Sequence, residues 1–172
     1  MRILNTKQLA ASGLMAALVF VGTMIIQIPS PTRGYIHAGD SMVYLCGIIL
    51  GPVAGGLAAA IGSVLADLFS GYGIYAPATF FIKGLDALII GYCFSALTQK
   101  SDPWDKKLPV LVLGVFLGGG IMITGYLGYE TFLYGYAVAL AGVIGNITQA
   151  VGGGVLALPL FLILDKMNIL EK

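Results

Sequence analysis

The stretch SVLADLFSGYGIYAPATFFIKGLDAL, residues 63–88, places an acid, Asp67, a base, Lys83, and a second acid, Asp86, among apolar neighbours. Such groups can pair as ions, can hold a polar guest molecule, or can put a lysine beside a carboxylate as a general base. The last use needs a nucleophile or a metal set nearby. The chain has no HExxH, no GxSxG, no Cys/His cluster and no G-x-x-x-x-G-K-[ST] phosphate loop. The expectation is therefore no enzyme, no cofactor, no metal and no ATP hydrolysis by this chain. An unpaired charge in hydrocarbon costs at least ~2.5–3.5 kcal/mol. The three ionic groups must accordingly face one another or a wet cavity. Lys83 and Asp86, three residues apart, share a helical face and can pair; a salt bridge from Asp67 to Lys83 is the other purely structural solution.

Further polar groups fall on the same side. Tyr35, His37, Asp40, Tyr72, Tyr75, Tyr126, Tyr129, Glu130 and Tyr134 lie in segments read as loops, and Asn146, Thr148 and Gln149 lie in the last apolar run. Tyrosines near helix ends also form the interfacial belt of membrane proteins, and Asn146 and Gln149 can be interhelical glue. Their convergence favours a pocket for a small, flat, polar molecule. Rings with polar tips stack it and bond its edge. Asp67, Lys83, Asn146 and Gln149 are the expected pocket groups, with Tyr35, His37, Tyr72, Tyr75 and Glu130 as lid or rim.

The elements that position these groups are apolar. Of 172 residues, 58% are hydrophobic and 10% charged, too little charge to coat a water-facing surface. The class is an all-α integral membrane protein, and the formal net charge of +1 offers no basic surface to nucleic acid. Apolar runs punctuated by Gly, Pro and polar residues predict six transmembrane helices in one membrane domain, residues 1–172, at 8–28, 41–50, 53–69, 79–97, 110–123 and 136–164. The second is short and turns at Gly51-Pro52 into a tight hairpin with the third. The first is read as a retained helix rather than a signal peptide, because no small-x-small cleavage site with a polar region follows. Loops at 29–40, 70–78 and 124–135 fall on one side. Arg2, Lys7, Lys100, Lys106, Lys107, Lys166 and Lys172 fall on the other, against Arg33 alone, so both termini are expected in the cytoplasm. Cys46 and Cys93 read as buried small hydrophobes.

Small-x-x-x-small pairs let helix backbones approach closely. Gly51/Gly55, Gly114/Gly118 and Ala150/Gly154 suit internal packing. Ser12/Ala16 and Gly13/Ala17 in the first helix give two registers that can serve a partner helix.

The segment IHAGDSMVYLCGIILGPVAGGLAAAIGSVLADLFSGYGIYAPATFFIKGLDALIIGY, residues 36–92, with GNITQAVGGG at 145–154, resembles the substrate-binding S components of energy-coupling factor (ECF) vitamin transporters. The shared runs are H-x-G-D, L-G-P, A-D-L-x-S-G-Y and A-P-A-T-x-x-x-K-G. The subgroup it looks most similar to is linked to hydroxymethylpyrimidine and pyridoxine, within a broader riboflavin-type family. The resemblance implies six helices, a vitamin pocket near the outer face, a lid at Pro29–Gly39, and localisation in a prokaryotic cell membrane. It implies a membrane scaffold (T component) docked through the small residues of helix one, two cytoplasmic ATPases, and toppling of the loaded subunit to release its cargo inward. The expected function is capture of hydroxymethylpyrimidine or pyridoxine for ATP-driven uptake. The alternatives are riboflavin or another vitamin, or a stand-alone facilitator; the inner parts of helices three and four offer a facilitator little polar path.

Overall fold

The computed structural model describes residues 6–30, 34–99 and 101–167. Arg2, Arg33, Lys100 and Lys172, which entered the charge count, lie outside them, as do the lid residues Pro31 and Thr32. Six helices follow in chain order: α1 (Thr6–Ile25), α2 (Asp40–Leu50), α3 (Pro52–Phe69), α4 (Ala76–Leu97), α5 (Trp104–Tyr134) and α6 (Tyr136–Lys166). All but α2 are long and apolar enough to cross a membrane. At 1.5 Å per residue α2 is about 16 Å long, half a bilayer core. It is folded back on α3 by Gly51, whose φ of 78° suits a residue without Cβ. Pro52 then starts α3, where its missing N–H costs nothing.

Two features depart from the sequence reading. The segment before α2 holds a small antiparallel hairpin, β1 (Gln27–Pro29) with β2 (Tyr35–His37), in which Gln27 faces His37 and Ile28 faces Ile36. Helix α5 is much longer than 110–123: the end of the polar connector and most of the Gly/Tyr-rich stretch 124–135 are helical. The added turns keep their polar groups satisfied. Lys107 Nζ donates to Asp165 at 2.7 Å, and the Thr124 and Thr131 hydroxyls donate to Gly120 and Leu127 carbonyls one turn back. A helix of 31 residues spans about 46 Å, more than the ~30 Å hydrocarbon core, so its ends stand in the polar interfaces.

The apolar core joins α2 to its neighbours through Val43, Tyr44, Leu45 and Cys46, with Val19, Ala59, Ala87, Ile90, Leu111 and Phe161. Cys46 and Cys93 are buried free thiols. Helix α1 lies on α3 so closely that a Cβ on Gly62 would run into the Ala16 carbonyl and Val19. That contact separates the two small-residue registers. Ser12 and Ala16 are partly covered, whereas Gly13 and Ala17 are exposed, with nothing within 4 Å of the Gly13 Cβ direction.

Candidate functional site

The polar groups gather at the end of the bundle that carries the hairpin. Asp40 opens α2, where the helix dipole favours a carboxylate. It is fully buried. Lys83 Nζ reaches its Oδ1 at 2.5 Å, and Gln149 Nε2 donates to its Oδ2 at 3.0 Å. Lys83, also fully buried, lies beside the Met122 sulfur and 5.8 Å from the centre of the Tyr126 ring. Its partner is thus Asp40 from α2, not Asp86 one turn below on α4 and not Asp67. Asp86 is fully buried, with Gly118 of α5 against Oδ1 and no hydrogen-bond partner for either oxygen among the described residues.

Asp67, near the end of α3, is held by the hairpin. The Tyr35 hydroxyl donates to its Oδ1 at 2.8 Å, while Oδ2 is buried without a partner among the described residues. Burial and the neighbouring Asp67 push the Tyr35 phenol far above its usual value, so it keeps its proton and donates. His37 ties the hairpin to α6: its backbone N–H donates to Gln149 Oε1 at 3.1 Å. The Gly39 N–H donates to its Nδ1. Burial, opposed by Asp40 and aided by Lys83, pulls the imidazole down to about 4, so the ring is neutral at physiological pH. Gln27 Nε2 donates to Ser70 Oγ at 2.7 Å and pins the first strand to the end of α3.

Beneath the hairpin lies a cavity of about 30 Å³ lined by Tyr35, His37, Asp67, Tyr75, Glu130, Asn146 and Gln149, all seven expected from sequence. Thr79, Tyr126, Ser30, Gly34 and Ile36 complete the wall. Thr79 and Tyr126 bond each other at 3.0 Å, and Tyr75 donates to Glu130 at 3.2 Å. Tyr129 OH donates to the Ile74 carbonyl and fastens α5 to the α3–α4 turn. Two expected residues stand back from the cavity. Tyr72 backs Tyr35, ring centres 4.6 Å apart, and Lys83 is spent on Asp40. Tyr126 stands in the sequence among the converging polar groups but outside the expected pocket set, and Thr79 lies at a helix start, where only the A-P-A-T run points to it. Among the described residues no cluster fit to hold a metal ion occurs.

A cavity this size holds only a few waters, against ~300–1,000 Å³ for a typical ligand pocket. As it stands it is too small for a flat ring. A larger groove of about 860 Å³ between α5 and α6 is lined by Leu111, Val112, Phe116, Val151, Val155 and similar side chains. It offers a polar molecule almost no hydrogen bonds, so the small polar cavity is the better candidate.

Comparisons with known proteins bear on the family and the fold. Residues 3–166 match the model of the family described as ECF-type riboflavin transporter, S component. A protein of Pyrococcus woesei, described as an uncharacterized protein in the gap 3′ region, is 37% identical over 86% of this chain and 95% of its own length. The thiamine precursor transporter HmpT of Lactococcus lactis subsp. cremoris (strain MG1363) is 27% identical over 97% of this chain and 93% of its own. A solved S component of a bacterial ECF transporter superposes with a TM-score of 0.69 over 95% of this chain and 98% of its own, at 18% identity, which speaks for the fold alone. Family and fold are those of transport subunits rather than enzymes. With its membrane-spanning helices and its polar cavity under a hairpin, the chain belongs to the S components of ECF-type transporters, a multi-pass membrane protein of vitamin uptake.

Proposed function

We propose that this chain captures hydroxymethylpyrimidine or pyridoxine from outside the cell and delivers it to an ATP-driven complex of a membrane scaffold and two cytoplasmic ATPases. The observation that carries the reading is a walled polar cavity, with acid, amide and tyrosine groups, under a hairpin held through the Asp67, Ser70 and Gln149 side chains by Tyr35, Gln27 and His37. Such a wall suits a small heteroaromatic ring with exocyclic polar groups. The likeness to a thiamine precursor transporter supports a pyrimidine. The family model is named for riboflavin, which makes riboflavin the second candidate. Asp67, Asn146 and Gln149 bond the ring's edge, and Tyr35, His37, Tyr75 and Glu130 close around it. Lys83 and Asp40 act one layer below, fixing Gln149 as the floor; Tyr72 supports Tyr35.

Lys7, Lys106, Lys107 and Lys166 lie at the helix ends away from the hairpin. By the positive-inside bias, those ends and both termini are cytoplasmic and the cavity opens outward. The scaffold docks on the exposed Gly13/Ala17 register of α1, because Ser12/Ala16 is taken up by α3. Calorimetric titration of the purified protein with hydroxymethylpyrimidine, pyridoxine and riboflavin tests the assignment. Saturable binding of one of the first two is expected; binding of none removes it.

A further inference from the structure

The cavity wall spends most of its polar groups on one another, and two atoms stand out because they are spent on nothing. Asp67 Oδ2 and Asn146 Nδ2 are both buried, both belong to residues lining the cavity, and neither has a hydrogen-bond partner among the described residues. Asp67 is 95% buried by its 5% exposure, two residues from the end of α3. There the helix dipole opposes a negative charge. An orphaned buried acceptor is unfavourable, and in the free protein the Tyr35 bond to Oδ1 leaves Oδ2 uncompensated. The groups facing Asp67 are Tyr35 from β2, Thr79 and the already paired Lys83 from α4, and Tyr126 from α5. Glu130 adds a second carboxyl to the wall, and no lysine or arginine lines it among the described residues. His37 is neutral, as described above.

We propose that this cavity reads its ligand through two open contacts, Asp67 Oδ2 accepting and Asn146 Nδ2 donating, and admits an uncharged or cationic nitrogen heterocycle while rejecting its phosphate ester. This rests on the functional reading above and adds a rule to it. The ligand presents an N–H, amino or hydroxyl donor on one edge and a ring nitrogen or oxygen acceptor on another. A phosphoryl group brings negative charge against two carboxyls with no described cation to receive it, and like charges at short range in a closed site are strongly disfavoured.

The test is calorimetric titration with hydroxymethylpyrimidine and with its monophosphate, on wild type, Asp67→Asn and Asn146→Leu, with a thermal melt of each. The monophosphate should bind about a hundredfold or more weaker than the free alcohol, on the scale of a buried like-charge contact. Each substitution should weaken the free pyrimidine by about tenfold or more, on the scale of one bond to a buried polar group. Neither should lower the melting temperature, because Asp67→Asn keeps the Oδ1 acceptor for Tyr35 and the Asn146 amide nitrogen holds nothing in the fold. Equal affinity for alcohol and ester, or unchanged affinity in both variants, overturns the inference while leaving the transport reading intact. Failure of hydroxymethylpyrimidine, pyridoxine and riboflavin to bind wild type overturns both.

Discussion

Lys83→Met tests the buried ion pair. The substitution keeps the length of the side chain and removes its charge, beside Met122, which already lies against it. Asp40 is then a fully buried carboxylate with only the Gln149 amide to hold it. Breaking a buried pair from one side costs about 3–5 kcal/mol, because the charge left behind is uncompensated. For a chain of this size that corresponds to a fall of roughly 6–20 °C in melting temperature. Asp40→Asn strands the lysine instead and should cost a similar amount. The double variant leaves no charge and should lose far less than the sum, giving a coupling of about 3 kcal/mol between contacting residues. Thermal unfolding of the four proteins in one detergent measures the cycle. Single losses below about 1 kcal/mol that simply add would refute the assignment of Asp40 as the partner of Lys83, since surface-like pairs behave that way.

Further outcomes follow from other contacts. Asp86→Asn should leave stability unchanged or raised, because neither oxygen holds a bond among the described residues; a large drop in the melt would show an interaction there. Tyr35→Phe removes the bond from the hairpin to Asp67, worth about 1.5–3 kcal/mol for a charged acceptor, and should speed ligand release about tenfold or more in a stopped-flow chase. Gly13→Trp and Ala17→Trp should block uptake in cells carrying the partner subunits yet spare ligand binding, whereas Gly62→Leu should push α1 from α3 and lower the melting temperature. For His37 the native imidazole titrates at about 4, below its ordinary 6.5. The unfolded chain therefore binds a proton first, and stability falls as pH drops from about 6.5 to about 4, by up to about 3 kcal/mol. His37→Gln should flatten that part of a melting-versus-pH curve.

Much of the fold was legible in the sequence because a bilayer allows few solutions: apolar runs must be helices, and Gly51-Pro52 must turn. The cavity wall was legible too, since polar groups at membrane depth are costly and so few that Asp67, Asn146 and Gln149 stood out. Three features were not. The partner of Lys83 sits 43 positions away on another helix, and helical periodicity, which suggested Asp86, carries no information about contacts between elements. The hairpin strands are three residues each, below the length at which alternation can be read. The last turns of α5 are rich in Gly, Tyr and Thr, so composition reads as loop; the tyrosine contacts to Thr79 and Ile74, from elements distant in sequence, dock them as helix. Which of the pairs Ser12/Ala16 and Gly13/Ala17 is left exposed likewise depends on the position of Gly62 on α3.

The central claim, that ionic and amide groups persist at the hairpin end of this bundle because they surround a guest, is tested most directly by what the protein carries from the cell. Wild type and an Asp67→Asn/Asn146→Leu double variant should be purified in parallel and their bound small molecules identified by mass spectrometry. The account predicts an unphosphorylated nitrogen heterocycle in stoichiometric amount on wild type and little or none on the variant. The same compound at the same occupancy on both, or no small molecule on wild type, would contradict it.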